Sequence, residues 1–493
     1  MVLTSLKVTD MRARARAWLP WPNVLAGVLA ACGGEPASPS LPPAVSGVAV
    51  AANPANALSL LVQFSADNAD SARVHHQVAG GPRASTPYFP IHTGVNTVPV
   101  LGLEAETTYL LEVEVEGPGG WNRPPALQFS TGSLPDALRQ LRLVGTGAPT
   151  ATYTLVVPVG LAGGTDAWLL AFDRAGTLRW YHHIAGEGWA IEARQLSNGN
   201  FSLYAGWSYG WQPQDGRYVE VTAAGTIARD FRAGHGFFTD PHDLLLSLRD
   251  GALDAAHFLA YDIQPFDLTF RGGPADAPLA VHRILRVGPG GEKLFEWNAA
   301  DHYAPADWPA TMQPTDLVHP SSLELDGDGN YVVSLQAMSQ VAAIDAQTGA
   351  FLWRLGGAHA DLTIMDDPLG GFHGQHSARI LPNGNLLLLD NRMGQVPPAA
   401  RAVEYRIDLA TRTAHLVWEY RPVPAIVSPI MGSVQRLAAG STLIGFGAAG
   451  RVVEVSADNQ LLWSAALVNT VGGAPMQFYR ALGIASLYRY ERP

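Results

Sequence analysis

Three histidines occupy comparable points of this chain, each in a short polar phrase set against an apolar run. His376 lies in Gly374-Gln375-His376-Ser377-Ala378-Arg379, ahead of a Pro382-Asn383-Gly384-Asn385 turn. His242 lies in Asp240-Pro241-His242-Asp243, and His319 in Val318-His319-Pro320-Ser321-Ser322. The pattern places each just before a strand. If those strands stand side by side around a common axis, the imidazoles meet in one pocket. A neutral imidazole, whose unperturbed pKa is about 6.5, is nucleophilic at neutral pH. Rings converging in this way can hold a transferable anionic group on a histidine nitrogen.

Such strands need a frame, and the chain repeats one. A strand, a short turn and an apolar or aromatic strand recur six times, at 172–180, 220–227, 287–297, 344–353, 407–418 and 454–463. Trp180, Trp297, Trp353, Trp418 and Trp463 end five of the copies and are expected to pack on the next sheet. A second hairpin recurs out of phase, at 195–201, 325–331 and 381–386. Two hairpins per repeat make four strands, so the repeats predict a six-bladed β-propeller over 140–493. The run from Gln477 to Tyr488 would supply the strand that seals the ring. Upstream, 44–132 also alternates like strands, and Leu103-Glu104-Ala105-Glu106-Thr107-Thr108-Tyr109 resembles the tyrosine corner of fibronectin type III modules. The expected fold class is all-β, a fibronectin-like sandwich followed by the propeller.

Composition bounds the partners. A hydrophobic share of 47% with 15% charged residues describes a globular chain, and 51 glycines and 36 prolines suit many short strands. The net charge of −11 argues against nucleic acid, and any anionic substrate must find positive groups locally. The single cysteine, Cys32, closes Leu29-Ala30-Ala31-Cys32 behind Arg12, Arg14, Arg16 and a short apolar run. That order reads as a lipoprotein signal over 1–31 with Cys32 as the lipidation site, then a flexible tether over 32–43. The expectation is an exported cell-envelope lipoprotein, periplasmic or outer-membrane-anchored, that touches the membrane through its lipid anchor only.

The propeller segment resembles the bacterial arylsulfate sulfotransferases, in the group that carries an N-terminal β-sandwich. The resemblance rests on the histidine phrases, Leu389-Asp390-Asn391, the run from Met431 to Leu437, and Tyr479-Arg480-Ala481 with Ser486-Leu487-Tyr488. It implies sulfuryl transfer from an aryl sulfate to a phenol, by a ping-pong route without a nucleotide donor (PAPS) or any cofactor. By position, His376 would take the sulfuryl group while His242 and His319 hold its oxygens. Where the family places an arginine, this chain has Gln336. Losing a charge-assisted bond to a sulfuryl oxygen costs about 1.5–3 kcal/mol. Arg379 and Arg392 are the candidates to compensate, so Gln336, Arg379 and Arg392 form the expected substrate-binding set.

Plainer readings stand beside these. Any of the three histidines could simply cap backbone groups at a strand start. His373 could pair with His376 on a metal, but no cysteine or clear carboxylate ligand accompanies them, and no metal is expected. His75, His76, His182 and His183 read as surface residues. Asp326-Gly327-Asp328-Gly329-Asn330 opens like a calcium loop, yet Ala337 stands where the closing glutamate belongs, so a hairpin turn is expected. The stretch 343–353 resembles a quinoprotein docking motif without the vicinal cysteine pair. The rival functions are a non-catalytic propeller that binds a ligand or partner, favoured by Gln336, and a quinone-dependent oxidoreductase. Expected partners are small aryl sulfates and phenols, with homodimer formation through the N-terminal module left open.

Overall fold

The computed structural model describes residues 40–206, 216–249, 252–309 and 316–489. The expected signal over 1–31, the lipidation candidate Cys32 and most of the expected tether lie outside the described residues. Within them the chain forms only strands and short 3-10 turns, with no α-helix.

Among the described residues beyond Leu141 the strands fall into six successive sheets, each built on four antiparallel strands. Their innermost strands are Phe478–Ile484, Ala193–Gln195, Phe238–Arg249, Pro320–Leu325, His376–Ile380 and Ser433–Arg436. Each of these meets its neighbour directly, except that the sheet of Ala193–Gln195 meets Phe238–Arg249 through its second and third strands. The result is a closed, propeller-like ring. Sheets covered on both faces need strands that are apolar on both faces. Accordingly Tyr331–Leu335, Leu386–Asp390 and Thr442–Phe446 are buried at every position.

The outer hairpins follow the repeat. At the first, Asp173 Oδ1 accepts from the amides of Ala175 and Thr177 while Gly176 takes φ 76°, a turn that favours glycine. Trp180 stacks on Phe201 of the next sheet at 4.7 Å and donates its indole N–H to Ala223 O at 2.8 Å. Trp463 joins the core shared with Leu143, Val156 and Trp168 across the ring closure.

Closure is double. Phe478–Ile484 pairs with Tyr153–Pro158, as the C-terminal run predicts. In addition Leu141–Gly147 pairs with Leu461–Asn469 and covers the edge of the last sheet. The repeat did not predict this second clasp, because the covering strand lies outside the repeating pattern.

The N-terminal unit packs a sheet of Ala44–Ala52, Leu60–Asp67 and Gly94–Val100 against a second sheet centred on Ser71–Val78 and Thr108–Gly117. The Tyr109 hydroxyl accepts from Glu104 N–H at 2.9 Å. The unit docks on the ring: Asn56 Nδ2 donates to Tyr181 O at 2.8 Å, and Leu101 N–H to the Tyr488 hydroxyl at 2.8 Å.

Two surface assignments are overturned. His75 is buried against Ser85 and Glu114, because Glu114 gathers Arg73, Tyr88 and Arg123 in the same spot. His182 is buried within the first sheet, and burial lowers its pKa to about 4. Its neighbour His183 faces the other way, onto Asp166 at 2.8 Å and Trp168.

Candidate active site

The three predicted histidines come together at one end of the ring, at the starts of inner strands. His376 opens its strand and His319 directly precedes Pro320–Leu325. His242 departs from expectation, since it lies inside Phe238–Arg249 and not before it. The ladder breaks there between Thr239 and Leu244, and this bulge turns His242 inward. The rings of His242 and His319 meet edge to face, 5.1 Å between centroids. His376 is close enough that charge on His319, and then on His242, acts on its proton affinity.

Each ring is held at Nδ1 by a different partner. Asp240 Oδ1 lies 2.8 Å from His242 Nδ1, and its other oxygen lies 3.2 Å from His282 Nε2. Asp316 Oδ2 lies 2.8 Å from His319 Nδ1. His376 instead faces neutral acceptors, Asn391 Oδ1 at 2.9 Å and Gly374 O at 3.2 Å. Asn391 cannot turn over, because its Nδ2 donates to Ser428 O at 2.7 Å and Met431 O at 2.9 Å. His376 Nδ1 therefore carries the proton. At the opposite nitrogen, Met431 N–H donates to Nε2 at 3.2 Å, so Nε2 carries the lone pair.

Electrostatics divide the rings by task. Burial first, then charge on His319 and His242, lowers the His376 pKa to about 3. It is neutral and nucleophilic across the ordinary pH range. His319 goes the other way: burial would lower its pKa, but the charge and hydrogen bond of Asp316 outweigh it and raise it above 6.5. For His242 burial prevails over Asp240 and the pKa falls. The two rings are thus pushed in opposite directions, His376 toward its neutral form and His319 toward its protonated one.

The substrate-binding candidates separate. Gln336 is buried beside the cluster, its backbone N–H on His319 O at 2.8 Å and its amide on Met393 Sδ at 3.2 Å. Arg392 follows Asn391 and is 5% exposed, yet neither Nε nor Nη1 has a hydrogen-bond partner among the described residues. Arg379 is a correction. Its guanidinium is taken by Leu323 O, Asp243 and Glu324, at 3.0, 3.1 and 3.3 Å, and it lines a cavity away from the histidines. The bulge between His376 and Arg379 and the three-residue step down the strand carry it there.

That cavity, about 330 Å³, is lined by the later halves of inner strands, with Arg194, Arg379, Arg480, Glu192 and Glu324 among its walls. Arg480 separates it from the histidines. Nη2 donates to His242 O at 3.1 Å and Ser321 O at 3.0 Å, and Nη1 lies 2.6 Å from Glu192. Tyr479 presents its ring edge-on to His242 at 5.8 Å.

Asp240, Asp316, Asn391 and Arg480 received no role from sequence reasoning. Asp240 and Asp316 could have been found by seeking a carboxylate within three residues of each histidine. Asn391 requires the strand pairing His376↔Leu389, and Arg480 requires ring closure. His373 makes backbone bonds to Asp390 and Met393, and no cluster of three or more metal-ligating side chains occurs among the described residues.

No curated protein matches this chain. Among solved structures it is similar to a protein of unknown function from Bacteroides caccae (14% identity, 67% of this chain and 98% of that one, TM-score 0.42). It is also similar to the virginiamycin B lyase of Staphylococcus aureus (10% identity, 66% and 88%, TM-score 0.34) and to Kuenenia stuttgartiensis hydrazine synthase (12% identity, 64% and 79%, TM-score 0.37). Residues 237–467, which hold all three clustered histidines, match the arylsulfotransferase (ASST) family.

Proposed function

We propose that this protein is an aryl-sulfate sulfotransferase, working through a sulfuryl group carried on His376 of a six-bladed propeller. The fibronectin type III-like sandwich would hold that propeller on a lipid-anchored stalk in the cell envelope. The observation that carries the reading is the hydrogen-bond geometry of the cluster, which leaves the lone pair of His376 on Nε2 beside His319, whose Nδ1 is held by Asp316 and whose pKa that carboxylate raises.

In the first half-reaction His376 Nε2 attacks sulfur and the S–O bond to the aryl group breaks. The bonding pair leaves on the aryl oxygen, which takes a proton from His319. Sulfonation at Nε2 places positive charge on the imidazole, and the Asn391 carbonyl oxygen at Nδ1 stabilises it. In the second half an acceptor phenol returns its proton to His319 and its oxygen attacks sulfur, releasing His376. No cofactor enters the balance. Mixing the protein with p-nitrophenyl sulfate and phenol tests this directly: nitrophenol release should require phenol. A silent wild-type protein would return the reading to a non-catalytic binder.

Arg392 is the candidate to stand in for the arginine that the resemblance expects, since its buried Nε and Nη1 have no hydrogen-bond partner among the described residues. Arg392→Met is expected to lower kcat/KM for p-nitrophenyl sulfate roughly 10- to 100-fold, the equivalent of one charge-assisted bond. An unchanged value would remove Arg392 from the site.

The pH profile follows from the signs. His376 protonates only near pH 3, so no acid limb should appear above about pH 4. The raised His319 pKa keeps its proton past 6.5, so kcat/KM should fall on the alkaline side with a midpoint above 6.5. In His319→Asn the rate should drop and this alkaline limb should vanish.

A further inference from the structure

We propose that the main-chain amide of Met431 is a catalytic group, donating a hydrogen bond to a sulfuryl oxygen as the sulfuryl group arrives on His376. This rests on the reading of His376 as the sulfuryl acceptor. The amide points at the reacting nitrogen itself, with Met431 N 3.2 Å from His376 Nε2. That distance is at the long end for such a bond, so the contact is readily exchanged.

The loop that carries the amide is built to hold it there. Met431 adopts φ 61°, a left-handed conformation that an unbranched L-residue takes only under constraint. Gly432 follows at φ 112°, and a Cβ there would run into the Gly445 carbonyl and the Leu389 side chain. Three bonds clamp the segment: Asn391 Nδ2 to Ser428 O, Asn391 Nδ2 to Met431 O, and Gly432 N–H to Tyr479 O at 2.9 Å. Asn391 therefore sets the His376 tautomer and the position of this amide together.

The chemistry requires the exchange. Once Nε2 bonds to sulfur its lone pair is consumed, and Met431 N–H loses its acceptor. An amide at this part-buried position must find another. The sulfuryl oxygens are attached to the atom it was facing, and they gain charge density as the aryl oxygen departs. The N–H remains intact throughout and only changes acceptor, from Nε2 to an S–O oxygen. Such a fixed donor acts in the transition state more than in the ground state, because free enzyme satisfies the amide through Nε2.

The test is an amide-to-ester replacement at position 431 in the full chain, with the 2-hydroxy analogue of methionine in place of Met431. Phenol-dependent nitrophenol release should fall about 100-fold in kcat, with KM essentially unchanged. A kcat equal to that of the wild type would overturn the proposal. Silence from the wild type itself would instead bring down the sulfotransferase reading beneath it. Should the ester variant fail to fold, wild-type protein labelled with 15N-methionine gives an independent readout. The Met431 amide resonance, identified by its loss in Met431→Leu, should shift when p-nitrophenyl sulfate is added without acceptor. It should stay still in His376→Asn. An unmoved resonance in sulfuryl-loaded wild type would overturn the assignment.

Discussion

His376→Asn should abolish phenol-dependent nitrophenol release, by at least about 10³-fold in kcat, as removal of a covalent nucleophile does. Asparagine can still offer an amide to Asn391 or Gly374, but it has no lone pair able to carry a sulfuryl group. The fold should survive. His376 is neutral and buried, so no charge is stranded by its loss, and the strand His376–Ile380 keeps its ladder to Leu386–Asp390. The measurement is turnover beside a thermal melt. Near-wild-type turnover in a folded variant would show that the sulfuryl group is carried elsewhere or not carried at all. Brief exposure to 35S-labelled aryl sulfate should label the wild type and leave the variant unlabelled.

The second large effect is expected at Arg480, on stability and rate together. Below the histidines, Arg194, Arg379 and Arg480 face Glu192, Asp243 and Glu324, three cations against three anions. Arg480→Met would leave Glu192 and Asp243, both 1% exposed or less, short of one counter-charge. Breaking such a buried set by removing one partner costs about 3–5 kcal/mol, which for a domain of this size lowers Tm on the order of 5 °C. Arg480 also ties His242 O to Ser321 O, and so holds the strands of two site histidines at a fixed spacing. Its loss should lower kcat in the molecules that remain folded, with a smaller change in KM. Arg480→Lys supplies the control: the charge returns and Tm should partly recover. One ammonium cannot reach both carbonyls and both carboxylates, so kcat should not recover. A melt unchanged in Arg480→Met would mean that the cluster is not balanced as described.

Arg480 shows where sequence reasoning stops. It comes from the strand that closes the ring, and its partners Glu192, Asp243 and the His242 carbonyl lie 237 to 288 residues earlier in the chain. Nothing local marks it. The outer hairpins are the opposite case. Each is encoded within about ten residues by a turn with a positive-φ position and, in five of the six, a tryptophan, so the repeat is legible locally. Histidine convergence falls between the two. The phrases around His242, His319 and His376 were visible, and ring closure brings their strands together. The direction of Arg379, by contrast, depended on a bulge that parity counting does not foresee.

Local chemistry along the chain was enough to specify strands, turns and which imidazoles to watch, because those depend on residues a few positions apart. The protonation of the rings needed the folded body. Asp316 raises one pKa while burial and neighbouring positive charge lower another, and Asn391 and Met431 decide which nitrogen of His376 bears the proton. Electrostatic work and hydrogen-bond direction depend on distance through space, and only tertiary structure supplies that distance.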